Sequence, residues 1–406
     1  MILPEAVRNI ELPEMVKVRQ IFADDHLEDI VAEVRRTVLP FAGEIGEAAR
    51  VAVLTGSRGI TNIDVIVKSV IDVLKEAGAS PFIIPAMGSH GGGTSKGQEE
   101  VLKSYGITEE TMGVPIESSM ETEVTGYTPE GIEVHFSKPA LDANYVVPVA
   151  RVKPHTDFTG PIESGICKML AIGGGKHNGC SRLHREGFPA LTHIIPDAAR
   201  VILEKTNVPF ALAIIENAFE KTHTLEAVPG RDILSREPEL LKLAKSLMPR
   251  IKFDDLDVLV LEQIGKNISG TGMDPNITGR DAYGQIPDAI PRIKRIIIED
   301  ISEGSHGNAI GCGMGDFILR KAFEKIDFEP MYTNGIASGN PEGIKIPVIL
   351  ENEDEAIRAA LQTCHSTDLN NPKIVKIKDT LHLSEIEVSA NMLDLCQDEK
   401  EFCIIR

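Results

Sequence analysis

The chain reads as an α/β protein of two domains, each built on a mainly parallel sheet, with the active site expected between them. Three observations predict this. From residue 50 onward short apolar runs alternate with amphipathic segments of helical period. Glycine-rich loops carrying reactive side chains follow those runs, at the carboxyl ends of strands, where open α/β sheets bind ligands. At 406 residues and 42% hydrophobic content the chain can bury more than one core.

In order, Val51-Ala-Val-Leu-Thr reads as a buried strand, Gly56-Ser-Arg-Gly as its loop, and Asn62 to Gly78 as a helix with apolar residues on one face. The next strand, Pro81-Phe-Ile-Ile-Pro-Ala, runs into Gly88-Ser-His-Gly-Gly-Gly-Thr, and a polar helix follows near Gln98 to Tyr105. Tyr145-Val-Val-Pro-Val-Ala is a third strand and leads into Lys153-Pro-His, the start of a long loop that contains Lys168, His177 and His184. Helices are predicted at Pro189 to Lys205 and near Glu237 to Met248, with a strand at Pro209 to Glu216 between them. Beyond a boundary near 249–255, Leu256-Asp-Val-Leu-Val-Leu-Glu opens a second alternating segment, whose loop Gln263 to Asp274 again follows a strand. The expected division is an amino-terminal cofactor and catalytic domain over 1–252, with the tail 385–406 as a candidate to complete it, and a second domain over 253–384.

Composition removes several functions. The formal charge of −19, from 61 acidic and 42 basic residues, opposes binding to nucleic acid or anionic membrane. With no tryptophan and 4% aromatic residues, base-stacking surfaces are scarce. Six cysteines without a Cys-x-x-Cys pair fit a reducing compartment. The amino terminus lacks a basic region followed by an apolar run, so a cytoplasmic, unprocessed protein acting on a small molecule is expected.

The glycine loops first suggest phosphate contact through backbone N–H groups. They fail the sharper tests: Gly175-Lys176 is followed by His177 where a P-loop needs Ser or Thr, and neither loop has the dinucleotide fingerprint. No His-Glu-x-x-His or close Cys/His pair signals a self-contained zinc site, although three histidines could converge on zinc. His90, His155 and His184 stand out because each sits beside glycine or just past a strand. His177 could cap a turn, meet phosphate or bind metal, and His193 reads as structural.

Taken together, Arg58, His90, His155, Lys168 and His184 resemble the nickel-pincer lactate racemase family, the racemases and epimerases of 2-hydroxy acids. Gly88-Ser-His90 looks like the family's Gly-Thr-His loop. Pro154-His155 followed by Ser164-Gly-x-x-Lys168 looks like its Pro-His and Ser-Gly-Gly-x-Lys segment, and His184 follows Lys168 by 16 residues, as the family's nickel ligand does. The resemblance covers Thr55 to Gly187. It implies two α/β domains and a nickel-pincer nucleotide, pyridinium-3,5-bisthiocarboxylic acid mononucleotide nickel. In that scheme Lys168 carries the cofactor covalently and His184 is the protein's nickel ligand. Gly91, Gly92, Ser164, Gly165 and His177 line the cofactor, His90 and His155 are the acid/base pair, and Arg58 orients the substrate. Hydride transfer at C2 then avoids a carbanion that histidine is too weak a base to form.

This chain departs from the family pattern in having Thr55 and Gly59 around Arg58, and a longer loop with Pro161 and Glu163 between His155 and Lys168. Lys266 and the Asn267 loop are candidates for the carboxy-terminal contacts. The alternatives are a histidine-ligated zinc hydrolase, or a noncatalytic nucleotide or sugar-acid binding protein on the same scaffold. Oligomeric state and the identity of the hydroxy acid are not encoded in any motif.

Overall fold

The computed structural model describes residues 3–57, 59–284 and 290–405. The chain forms two compact units, Ala23–Met248 and a discontinuous one made of Met1–Phe22 with Pro249–Arg406. Strand β1 (Met15–Gln20) belongs to the second of these.

In the unit Ala23–Met248, strands β2 (Arg50–Thr55), β3 (Ser80–Pro85), β6 (Tyr145–Arg151), β7 (Phe210–Glu216) and β8 (Thr222–Pro229) form one sheet in the order β3-β2-β6-β7-β8. The first four are parallel, and β8 returns antiparallel to β7. Strands β4 (Thr122–Tyr127) and β5 (Glu133–Ser137) make a separate antiparallel hairpin.

The central strands read as unbroken apolar runs because helices cover both faces. Successive side chains of β2 divide between two cores. Val51 and Val53 pack with Val34 and Val38 of the helix Ile30–Ala42 and with the apolar face of Ile63–Glu76. Ala52 and Leu54 pack on the opposite side with Ile194 and Ala198 of Phe188–Lys205 and with Leu240 and Leu241 of Ile233–Leu247. Each fully buried Leu or Ile there contributes roughly 2 kcal/mol by leaving water. The predicted strand, loop and helix succession is present, and the α/β class with mainly parallel sheets holds.

The second unit has an eight-stranded sheet in the order β12-β11-β10-β9-β13-β14-β1-β15. Its strands are β9 (Asp255–Leu261), β10 (Arg292–Ile298), β11 (Phe317–Leu319), β12 (Val348–Leu350), β13 (Ile374–Ile377), β14 (Glu385–Ser389) and β15 (Phe402–Ile404). From β12 to β13 the pairs are parallel, and β14, β1 and β15 add antiparallel. Residues 1–22 and the tail 385–406, expected with the amino-terminal domain, therefore lie in this unit. The physical reason is pairing: β1 is hydrogen-bonded on one side to β14 and on the other to β15, with Val18 fully buried.

Candidate active site

Every described residue of the candidate catalytic and cofactor set lies in the unit Ala23–Met248. Arg58 lies outside the described residues. The loop around it is fastened on both flanks: the Tyr105 hydroxyl donates to the Ser57 carbonyl at 2.7 Å, and Glu216 at the end of β7 accepts from the Thr61 amide at 2.9 Å. Glu216 also pairs with Arg151 at the end of β6.

His90 follows β3 on a turn that only glycine can complete. Gly91, Gly92 and Gly93 all have φ near +65°, and a Cβ on Gly91 would lie 2.5 Å from the Gly97 carbonyl carbon. The turn thus packs directly on the first residues of the helix Ser95–Ser104, whose N-cap is Thr94. The His90 ring is exposed, and its Nδ1 is hydrogen-bonded to the Ser57 hydroxyl. Beneath the turn, the Gln98 amide donates to the carbonyls of Gly88 (2.8 Å) and His90 (3.3 Å). Lys176, with no exposed surface, donates to the Pro85 carbonyl at 2.7 Å and reaches Gln98 Oε1 at 3.4 Å. Burial without a carboxylate pushes this amine down to about 8.

His155 is shaped by the residues that lengthen its loop. Buried Glu163 accepts from the His155 amide (2.7 Å) and the Gly160 amide (3.1 Å), and pairs with Lys245. The His155 ring stacks on Phe158 with centroids 4.2 Å apart. Its Nδ1 accepts from the Asp157 amide at 3.0 Å, so the neutral ring carries its proton on Nε2.

Lys168 ends the short helical segment Ile166–Lys168 and passes directly into a π-helical turn, Met169–Gly173, of a kind often found at functional sites. Its Nζ lies 6.0 Å from the Phe158 ring centroid. The glycines after that turn allow close packing on the hairpin: a Cβ on Gly174 would lie 2.3 Å from the Phe136 ring. There the chain enters the helix Lys176–His184. His177 is exposed near its start, and a Cβ on Gly93 would be 3.0 Å from its Nδ1.

His184 closes that helix. Its Nδ1 donates to the Cys180 carbonyl at 2.7 Å, which leaves Nε2 with a lone pair, the form a metal needs. The Cys180 thiol lies 3.6 Å from Nδ1 and 3.5 Å from the Ser89 hydroxyl. Burial works against charge on both ring and thiol, yet their mutual contact prevails: the imidazole is raised, the thiol lowered, and Lys168 opposes the rise at His184.

These contacts join into one chain. Ser57 touches His90, Ser89 touches Cys180, and Cys180 touches His184. The ring of His184 then meets Phe188 edge-on at 5.4 Å, and Phe188 lies 6.2 Å from His155. His155 and Lys168 share Phe158. Four distant sequence positions are thereby gathered by one cysteine and two phenylalanines. Ser57, Cys180, Phe158, Phe188 and Lys176 carry no motif of their own. The signals available were the Cys180/His184 spacing on one helix face and the aromatic residues flanking the histidine loop in a chain poor in aromatics.

Among the described residues no three His, Cys, Asp or Glu side chains gather into a group that could hold a metal ion. No helix among them is long and apolar enough to cross a membrane.

A family described as a domain of unknown function (DUF362) matches residues 55–226, the stretch that carries the whole candidate set. The fold resembles that of a lactate racemase. The apoprotein of that enzyme from Thermoanaerobacterium thermosaccharolyticum matches with a TM-score of 0.53 and 14% identity, over 91% of this chain and 99% of that one. No protein of curated function matches in sequence.

Proposed function

We propose that the protein is a racemase or epimerase of a small 2-hydroxy acid that works with a lysine-held nickel-pincer nucleotide. The observation that carries this reading is the contact chain that brings His90, His155, Lys168 and His184 together on a fold like that of lactate racemase.

The side chains fit such a group. Lys168 would hold it covalently, and His184 would offer Nε2 to nickel, its other nitrogen being committed to the Cys180 carbonyl. A single protein imidazole suffices where the remaining donors come from the cofactor, and no second histidine is needed beside it. The glycine turn 91–93 would admit the nucleotide: a Cβ on Gly92 would meet nothing within 4 Å. When bound, the cofactor supplies a hydride acceptor for C2.

The rest of the work falls to the chain. In its neutral form His155 would donate a hydrogen bond from Nε2 to the oxygen on C2, while His90, with Nδ1–H donated to the Ser57 hydroxyl, would present Nε2 as the proton acceptor. To give up the Nε2 proton as an imidazolium, and to take one back there in the reverse direction, His155 must release the Asp157 amide and turn Nδ1–H toward the Asp157 carboxylate, now 3.8 Å away. Arg58 would pair with the substrate carboxylate, as the resemblance assigns.

The test is mass spectrometry of the peptide spanning Lys168, on protein made with nickel in a host able to synthesise the pincer nucleotide. The expected result is an adduct at Lys168 with bound nickel, absent in Lys168→Ala. An unmodified Lys168 in a host that loads a known lactate racemase overturns the proposal.

A further inference from the structure

Glu237 is the most deeply buried carboxyl in this unit, and the proposed chemistry leaves it unused. It lies on the helix Ile233–Leu247, has no exposed surface, and approaches the backbone of the Lys168 segment. Its Oε2 accepts from the Cys167 amide at 2.9 Å. Its Oε1 is buried without a hydrogen-bond partner among the described residues. A Cβ on Gly165 would lie 2.1 Å from that Oε1 and 2.9 Å from the carboxyl carbon. Gly165 has an extended φ of 168°, open to any residue, so it is the carboxyl that excludes a side chain there.

A carboxyl so placed costs free energy unless it holds something. What it touches is the start of the segment that carries Lys168: the amide it binds belongs to the residue next to that lysine, and the helical run continues through Met169–Gly173 toward His184. We propose that Glu237 is a positioning residue whose buried carboxyl clamps the Gly165–Lys168 turn and thereby sets the direction of the Lys168 side chain.

Burial raises the carboxyl to about 7, against the hydrogen bonds from the Cys167 side chain and backbone and the Ile166 backbone. Because burial disfavours the carboxylate, ionisation favours the opened, solvated state, and the clamp loosens as pH rises through neutrality. The titratable group facing it is the Cys167 thiol, which burial and then Glu237 itself raise well above the ordinary range, so it stays protonated. Arg200, from the helix Phe188–Lys205, acts on that thiol in the opposite sense.

That Lys168 is an attachment point rests on the proposed function, whereas the clamp is tested on the full chain without any cofactor. Glu237→Leu keeps the volume and removes the acceptor, and Glu237→Gln keeps an acceptor that cannot ionise. Hydrogen exchange over residues 164–170 should quicken at least tenfold at the Cys167 amide in E237L. In E237Q the exchange rate relative to native should fall at least threefold between pH 5.5 and 8.5, as native opens more readily once Glu237 ionises, the ratio removing the intrinsic pH dependence. Acylation of Lys168 by acetic anhydride, with the other lysines as internal standards, should change at least threefold in E237L. Exchange and acylation within twofold of native in E237L, or a flat E237Q ratio, overturn the clamp; if E237L does not fold, the ratio alone decides. A protein that never forms a cofactor adduct overturns the proposed function and leaves these results untouched.

Discussion

At residue scale the site depends on which nitrogen of each histidine is committed. His184 gives Nδ1 to a carbonyl of its own helix, whereas His155 uses Nδ1 to accept an amide. Opposite tautomers follow, one with Nε2 free to meet a metal and the other with Nε2–H as a hydrogen-bond donor. In Cys180→Ala the carbonyl bond survives but the thiol contact that raises His184 is lost. Its imidazole should then titrate at lower pH than in the native protein, read from ring-proton shifts in NMR. Glu237 supplies a second residue-scale expectation. Its folded value of about 7 lies above the ordinary 4.5, so the folded state binds more protons than the unfolded between those values. Stability from this group is therefore greatest below about 4.5, falls as pH rises to about 7, and is flat beyond. A shift of that size corresponds to roughly 3 kcal/mol. The stability of native protein relative to E237Q should fall by up to that amount between pH 4 and 8, measured by denaturant unfolding.

At the scale of elements, what places the histidines is backbone packed against backbone. Gly97 shows this most sharply: a Cβ there would lie 1.9 Å from the Gly91 carbonyl oxygen, with no flexible side chain to give way. Gly97→Ala should cost about 1–3 kcal/mol and displace the His90 turn, so the Ser57–His90 hydrogen bond should be lost. Thermal unfolding and the His90 ring shifts would show both effects, and a native-like variant would contradict the packing described. Sequence periodicity disclosed the strands and helices of this unit because buried runs such as Val51–Thr55 and the Ile63–Glu76 face leave a direct imprint. The candidate histidines and Lys168 stand out in sequence for a different reason, their place in glycine loops after strands. Their supports do not. Glu237 looks like any helical glutamate, and Lys176 like any glycine-loop lysine, until tertiary packing buries them. The β4–β5 hairpin, whose Phe136 packs on Gly174, has too few buried positions to stand out.

At the scale of the whole molecule, the boundary is where local reading gives way to long-range pairing. Met15–Gln20 alternates weakly and its partners lie more than 360 residues away, so nothing nearby in sequence assigns it to a sheet. Yet it fills the place between β14 and β15, and Gln20 donates to the Leu383 carbonyl while its own carbonyl oxygen takes the Lys252 amide. The two units should therefore differ when cut apart. Residues 23–248 are continuous and contain both faces of their own sheet, so that fragment should fold alone with cooperative unfolding. Residues 249–406 lack the strand that β15 pairs with, and β14 keeps one free edge. This fragment should be poorly structured or aggregate through that edge. Joining residues 1–22 to it through a flexible linker, or adding them as a peptide, should restore a cooperative transition, because β1 supplies hydrogen bonds to both neighbours at once. Circular dichroism during heating of the three samples checks this, and a 249–406 fragment as stable without residues 1–22 as with them would contradict it.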